Sequence, residues 1–175
     1  MKPPGKIRVG ISACLLGRPT RYDGADKRDA GLVAALGPHV EWVPVCPEVE
    51  CGLPVPRERM RLEGSPARPR LVTVESRIDQ TARLTRWLGR RLRELEAAGL
   101  AGFVLKSRSP SCGLRGVPVY DASGACRKVG VGLLARALAA RLPGMPIEEA
   151  GRLHDPAAME RFIGRVRADA GRACT

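Results

Sequence analysis

"KIRVGISACLLG" (residues 6–17) packs β-branched and small residues into a short run, then meets a cysteine, Cys14, where the run ends. A short apolar run of this kind predicts a buried strand over 6–13. The next residues, "CLLGRPTRYDG" (14–24), carry Gly17, Pro19 and Gly24 and predict a loop. The same order recurs downstream. "VEWVPV" (40–45) predicts a second strand, with its proline at a strand end or on an edge, and Cys46 follows at once. "LAGFVLK" (100–106) predicts a third, and Cys112 lies in the loop "SRSPSCGLRG" (107–116) behind it.

Helical patterns separate these strands. "DAGLVAALG" (29–37) starts on Asp29 as a cap and stops at Gly37 and Pro38. Residues 76–99 place Ile78, Leu84, Trp87, Leu88, Leu92 and Leu95 at helical spacing among arginines and glutamates. Two more helices are expected over 132–142 and 156–170. "CPEVECGLPVPRERMRL" (46–62) holds three prolines and reads as a loop. "RLVTVE" (70–75) reads as part of a small hairpin insertion, and 116–130 as a short strand and a turn. Alternating strands and helices make the fold class α/β, a mostly parallel Rossmann-like sheet flanked by helices. Residues 1–175 are expected to form a single domain, ending in a helical tail over 143–175.

Composition narrows the possibilities. A chain of 175 residues, 44% of them apolar, can build a core without disulfides or metal. No apolar run approaches the roughly 18 residues of a membrane span. The N-terminal apolar stretch is interrupted by Arg8 and Gly10, so it reads as a strand rather than a signal peptide, and a cytoplasmic location is expected. Thirty basic residues, 25 of them arginine, against 18 acidic ones give a net charge of +12. Arginine favours phosphates, so a nucleic-acid partner is conceivable. The spread of basic residues along the chain argues against it.

Six cysteines occur, at 14, 46, 51, 112, 126 and 174, with no C-x-x-C pair and no secretory signal. Neither a zinc ribbon nor a disulfide framework is indicated. Cys126 and Cys174 fit the ordinary reading of small buried hydrophobes. Cys14, Cys46 and Cys112 do not, because each follows a predicted parallel strand. Ligands of open α/β sheets sit beyond the carboxyl ends of the strands, where three such loops can converge. Thiolates select zinc, copper(I) or iron–sulfur clusters. Zinc in a structural site wants four protein ligands, and neither His39 nor His154 lies in these loops. A [4Fe–4S] cluster on three cysteines leaves one iron open to a substrate sulfur.

"ISACLLG" with "RYDG", "VCPEVECGLPVPR" and "LKSRSPSCG", in this order, resemble the signatures of the thiouracil desulfidase family across roughly residues 7–142. The resemblance implies a [4Fe–4S] cluster held by Cys14, Cys46 and Cys112, and hydrolytic removal of sulfur from thiolated pyrimidines. It assigns catalytic importance to Glu48 and to a serine of the "SPSC" block, Ser111 or Ser109. The substrate implied is a small thiolated pyrimidine base or nucleoside, with thiolated tRNA as an alternative. A different class of reading is a non-catalytic iron–sulfur or metal-binding protein for redox sensing or sulfur handling. Tyr22 and Asp23, on the Cys14 loop, are candidates to stack on and hydrogen-bond the ring. Lys106, with Arg108 and Arg57, is a candidate to balance cluster charge or bind a substrate phosphate. Cys51 stands where the family commonly has glycine and is an alternative fourth ligand.

Overall fold

A computed structural model describes residues 6–172. Its first sheet has four strands: β1 (Ile7–Ser12), β2 (Val40–Val45), β5 (Phe103–Leu105) and β8 (Ile147–Glu149). Their order is β2-β1-β5-β8, and every neighbouring pair is parallel. The chain leaves β1 toward β2 on one side and later returns to pair β5 on the other. The gap beyond the ends of β1 and β5 is therefore a topological switch point, the crevice where open α/β sheets bind ligands. β2 lies at the sheet edge, where its Pro44 costs no ladder hydrogen bond on the outer side.

Strand alternation divides the core in two. Val9 and Ile11 of β1 and Val104 of β5 face helices α1 (Ala30–Leu36) and α5 (Pro156–Arg172), meeting Leu32, Leu36, Phe162 and Val166. Phe103 and Leu105 face the other way, toward α3 (Thr81–Ala97) and α4 (Leu133–Arg141). There they meet Leu84, Trp87, Leu88, Leu134 and Leu138. Gly10 makes room for this layer: a Cβ at that position would stand 2.3 Å from the Phe103 ring.

A second sheet lies on the α3/α4 side. β3 (Met60–Ser65) and β4 (Arg68–Thr73) form one hairpin, and β6 (Val117–Tyr120) and β7 (Cys126–Gly130) another. Parallel pairing of β3 with β6 joins them in the order β4-β3-β6-β7. Leu62, Leu71, Val117 and Val119 bury one face of this sheet in the shared core.

Several expectations are corrected here. The expected hairpin insertion is half of this second sheet, and 116–130 supplies two strands rather than one. Residues 46–62 are not all loop: α2 (Pro47–Glu50) makes one helical turn there, and β3 begins at Met60. Proline at the first helical position loses no hydrogen bond, so Pro47 starts this helix rather than preventing it. The helix expected from 76 begins at Thr81. The Thr73 hydroxyl accepts from the Ile78 backbone N–H, which holds 76–80 in a turn and leaves the Ile78 side chain 54% exposed. The tail is not purely helical, since β8 completes the first sheet; three residues are too few to display a strand period. Cys126 is exposed on the edge strand β7, not buried. Cys174 lies outside the described residues. No helix among the described residues is long and apolar enough to cross a membrane.

Candidate active site

A cavity of about 450 Å³ opens at the switch point, between the carboxyl ends of β1, β2 and β5 and the second sheet. Cys14, Cys46 and Cys112 all line it. Cys14 sits in the 3-10 turn Ala13–Leu16 directly after β1. Cys46 is the N-cap residue of α2 directly after β2. Cys112 is buried in the loop after β5.

That loop is held from two sides. The Ser109 hydroxyl accepts the backbone N–H groups of Ser111 (3.3 Å) and Cys112 (3.1 Å). From behind, Gly132 N donates to Gly113 O (2.7 Å) and Leu134 N to Ser111 O (2.8 Å). Only glycine allows so close an approach: a Cβ at 132 would lie 2.7 Å from the carbonyl carbon of Ser111 and 2.8 Å from the nitrogens of Cys112 and Gly113.

Glu48 and Ser111 also meet on this cavity. α2 turns the Glu48 side chain back toward the cysteines, and the Ser111 hydroxyl donates a short hydrogen bond to its Oε1. Ser109 Oγ lies 3.2 Å from Ser111 Oγ, so the two hydroxyls and the carboxylate form a chain. The alternatives left open between the serines thus take different places: Ser111 touches Glu48, and Ser109 builds the loop and stands second in line. On the other carboxylate oxygen, Arg57 donates to Oε2 from Nε at 2.8 Å, with Nη2 at 2.6 Å.

Burial raises the pKa of all three cavity thiols above the ordinary range. For Cys14 the neighbouring Cys46 adds to the effect, and for Cys46 the charge of Glu48 does. Burial also lowers the pKa of Lys106, which lines the cavity and donates from Nζ to Ser107 O. Thiols in such a place become three thiolates only beside a cationic partner. Among the described residues, no three His, Cys, Asp or Glu side chains stand close enough to hold a single metal ion. Cys14, Cys46 and Cys112 nevertheless share one cavity, and thiolates are the ligands of iron–sulfur clusters. Thr20 Oγ1, another cavity atom, is buried and has no hydrogen-bond partner.

The remaining candidates divide. Tyr22, Lys106 and Arg108 line the cavity. Asp23 does not: it accepts from Arg21 (3.2 Å) and from Ala25 N (3.1 Å), which closes the loop. Cys51 lies on the far side of α2, beside Arg83, Arg86, Trp87 and Arg90, with its thiol directed at Glu48 O (3.2 Å). Three features escaped the sequence reading. Ser12 is buried, accepts Lys106 N (2.9 Å) and hydrogen-bonds the Cys112 thiol. Thr20 O accepts from both Arg57 and Cys46. Arg59, just before β3, and Met60, Arg61 and Tyr120 of the second sheet supply the opposite wall, with the Arg61 guanidinium 4.4 Å from the Tyr120 ring centroid. The position of Ser12 beside the Cys14 loop was the one available signal; the wall depends on a strand pairing that no local motif announces.

Comparison with known proteins bears on the family and the fold. No curated protein matches the sequence. The solved structure of a [4Fe-4S]-dependent thiouracil desulfidase, TudS, superimposes with a TM-score of 0.69 and 34% sequence identity. The match covers 90% of this chain and 99% of that one. The sequence profile of 2-thiouracil desulfurase matches residues 9–150, which include every cavity residue named above. This chain belongs to the 2-thiouracil desulfurase family.

Proposed function

We propose that this chain is a [4Fe–4S]-dependent desulfidase that removes sulfur from thiolated pyrimidines by hydrolysis, with Cys14, Cys46 and Cys112 holding the cluster. The observation that carries this reading is the convergence of three thiols and the Glu48–Ser111 pair on one cavity. The donor set fits the group: three soft ligands, backbone-rich loops around them, and Cys51 turned away, so that among the described residues no fourth cysteine lines the cavity. When bound, such a cluster supplies a Lewis acid for a thiocarbonyl sulfur.

The chain's own residues supply the proton chemistry. The Glu48 carboxylate accepts a proton from the water that attacks the ring carbon. Ser111 donates to Oε1 and Arg57 engages Oε2 with both Nε and Nη2, leaving the free lone pair for that water on Oε1. Ser109 and Ser111 give the proton a path away from Glu48. Water oxygen bonds to carbon, the C–S bond breaks, and sulfide leaves with the protons; no net redox change occurs. Among the described residues, six cationic side chains line the cavity, Arg21, Arg57, Arg59, Arg61, Lys106 and Arg108, against the single carboxylate of Glu48. They favour a substrate that carries or develops negative charge.

The test is anaerobic purification or reconstitution, followed by iron and sulfide analysis and turnover of 2-thiouracil. About four irons per chain are expected in the wild type, with uracil and sulfide released in equal amounts. Cys112→Ala should lose the iron. Glu48→Ala should keep the iron and lose turnover by about 10²- to 10⁴-fold. A wild type that carries iron yet leaves 2-thiouracil and its nucleoside unchanged sinks the enzymatic reading.

A further inference from the structure

Arg57 is fastened more completely than any other cationic side chain on the cavity. Its side chain is only 6% exposed. Nε meets Glu48 Oε2 (2.8 Å), Nη1 meets Pro54 O (3.1 Å) and Nη2 meets Thr20 O (2.8 Å). Its backbone N–H donates to Tyr22 O (2.8 Å). One residue thus ties together the Cys14 loop, through Thr20 and Tyr22, and α2, through Glu48. The side-chain contacts engage all three nitrogens of the planar fork, Nη2 reaching Glu48 Oε2 (2.6 Å) as well as Thr20 O, an arrangement that lysine cannot reproduce.

Glu48 sits on a helix of one turn, which offers little rigidity of its own. A carboxylate on such a support has several rotamers to choose from. Arg57 holds one oxygen and Ser111 the other, so the plane of the carboxylate is fixed. From this geometry we infer that Arg57 is a positioning residue for the reaction, holding Glu48 in the orientation that presents it to the reacting water. The inference rests on the desulfidase reading above, with Glu48 as the acceptor of the water proton. It gives Arg57 no ligand role toward the cluster and no contact with the reacting atoms.

The experiment is a double-mutant cycle on Arg57→Ala and Glu48→Ala in protein purified anaerobically, read by kinetics, iron content and thermal stability. Misplacing a catalytic group by about 1 Å costs on the order of 10²-fold, so Arg57→Ala should lower kcat about a hundredfold. KM should change by less than about threefold, because the lost interaction acts on the transition state. Iron content should equal that of the wild type. Added guanidinium should restore part of kcat to Arg57→Ala, whose deleted side chain opens onto the cavity, and Arg57→Lys should remain well below wild type. In the Glu48→Ala background, Arg57→Ala should have no further effect on kcat. An equal loss in both backgrounds, or a loss that tracks missing iron, overturns the proposal.

The thermal readout separates this failure from failure of the enzymatic reading. The two substitutions should be non-additive in Tm, the double variant lying close to the worse single one, whether or not 2-thiouracil turns over. Additive losses in Tm mean that the two side chains are not coupled, and they overturn the proposal directly.

Discussion

Gly132→Ala puts the packing of the Cys112 loop to a direct test. Gly132 precedes α4 with φ −61° and ψ 151°, a conformation any residue can adopt, so the effect of a methyl group there is steric alone. Its Cβ would lie 2.7 Å from Ser111 C and 2.8 Å from Cys112 N, while ordinary contact begins near 3.4 Å. Those are backbone atoms, which cannot rotate aside. The loop and the start of α4 must therefore separate by about 0.7 Å, and two hydrogen bonds between them, at 2.7 and 2.8 Å, lengthen with it. Overpacking of this kind costs about 1–3 kcal/mol. At about 2–4 °C per kcal/mol for a chain of this size, Tm should fall by roughly 2–12 °C. The same shift moves Cys112 and Ser111 together, so turnover should drop by about 10- to 100-fold, a misplacement of this size costing most of what 1 Å costs. Gly89→Ala is the matched control: in mid-α3, with nothing within 4 Å of the added Cβ, it should stabilise by about 0.5–1 kcal/mol. Scanning calorimetry and 2-thiouracil turnover on both variants decide the matter. If Gly132→Ala behaves like Gly89→Ala, the reasoning about the loop is wrong.

Cys51→Ser should leave iron content and turnover within about twofold of wild type, because the thiol lies behind α2 and off the cavity; iron loss matching that of Cys112→Ala would make Cys51 a ligand. Glu63, buried in β3, accepts from Arg77 (2.8 Å) and Arg61 (2.7 Å), which together hold its pKa at about 2. A carboxyl lowered by folding contributes stability above its unfolded value and loses it as pH falls through the folded one. The Tm advantage of wild type over Glu63→Gln should thus be full above about pH 5 and shrink toward pH 2; a gap that does not change with pH would refute the assignment.

The three strand-then-cysteine units were legible because each is local. A short apolar run makes a strand whatever lies beyond it, and the residue after the run lands at the strand's end. Parallel order follows from the intervening helices, so the convergence of Cys14, Cys46 and Cys112 could be drawn from spacing alone. Glu48 and the serines were named through the motif resemblance. The one-turn helix that aims Glu48 was hidden by the prolines around it, which normally signal a loop. The exposed turn at 76–80 was hidden by Ile78, which fits the helical period of α3 although the Thr73 hydroxyl holds its backbone elsewhere.

Sequence alone determined the class of fold, the strand ends that carry the thiols, and the residue types there, which are those that suit a soft metal group. Tertiary structure decided what lies around them. Joining two hairpins into a second sheet needs the contact between β3 and β6, separated by more than fifty residues, and only that contact places Arg61 and Tyr120 opposite the cysteines. Which serine meets Glu48, which oxygen Arg57 takes, and which side of α2 Cys51 faces depend on a few ångströms of packing. Periodicity records which face of an element is apolar. It carries no information about which polar groups, from loops remote in sequence, will share one cavity.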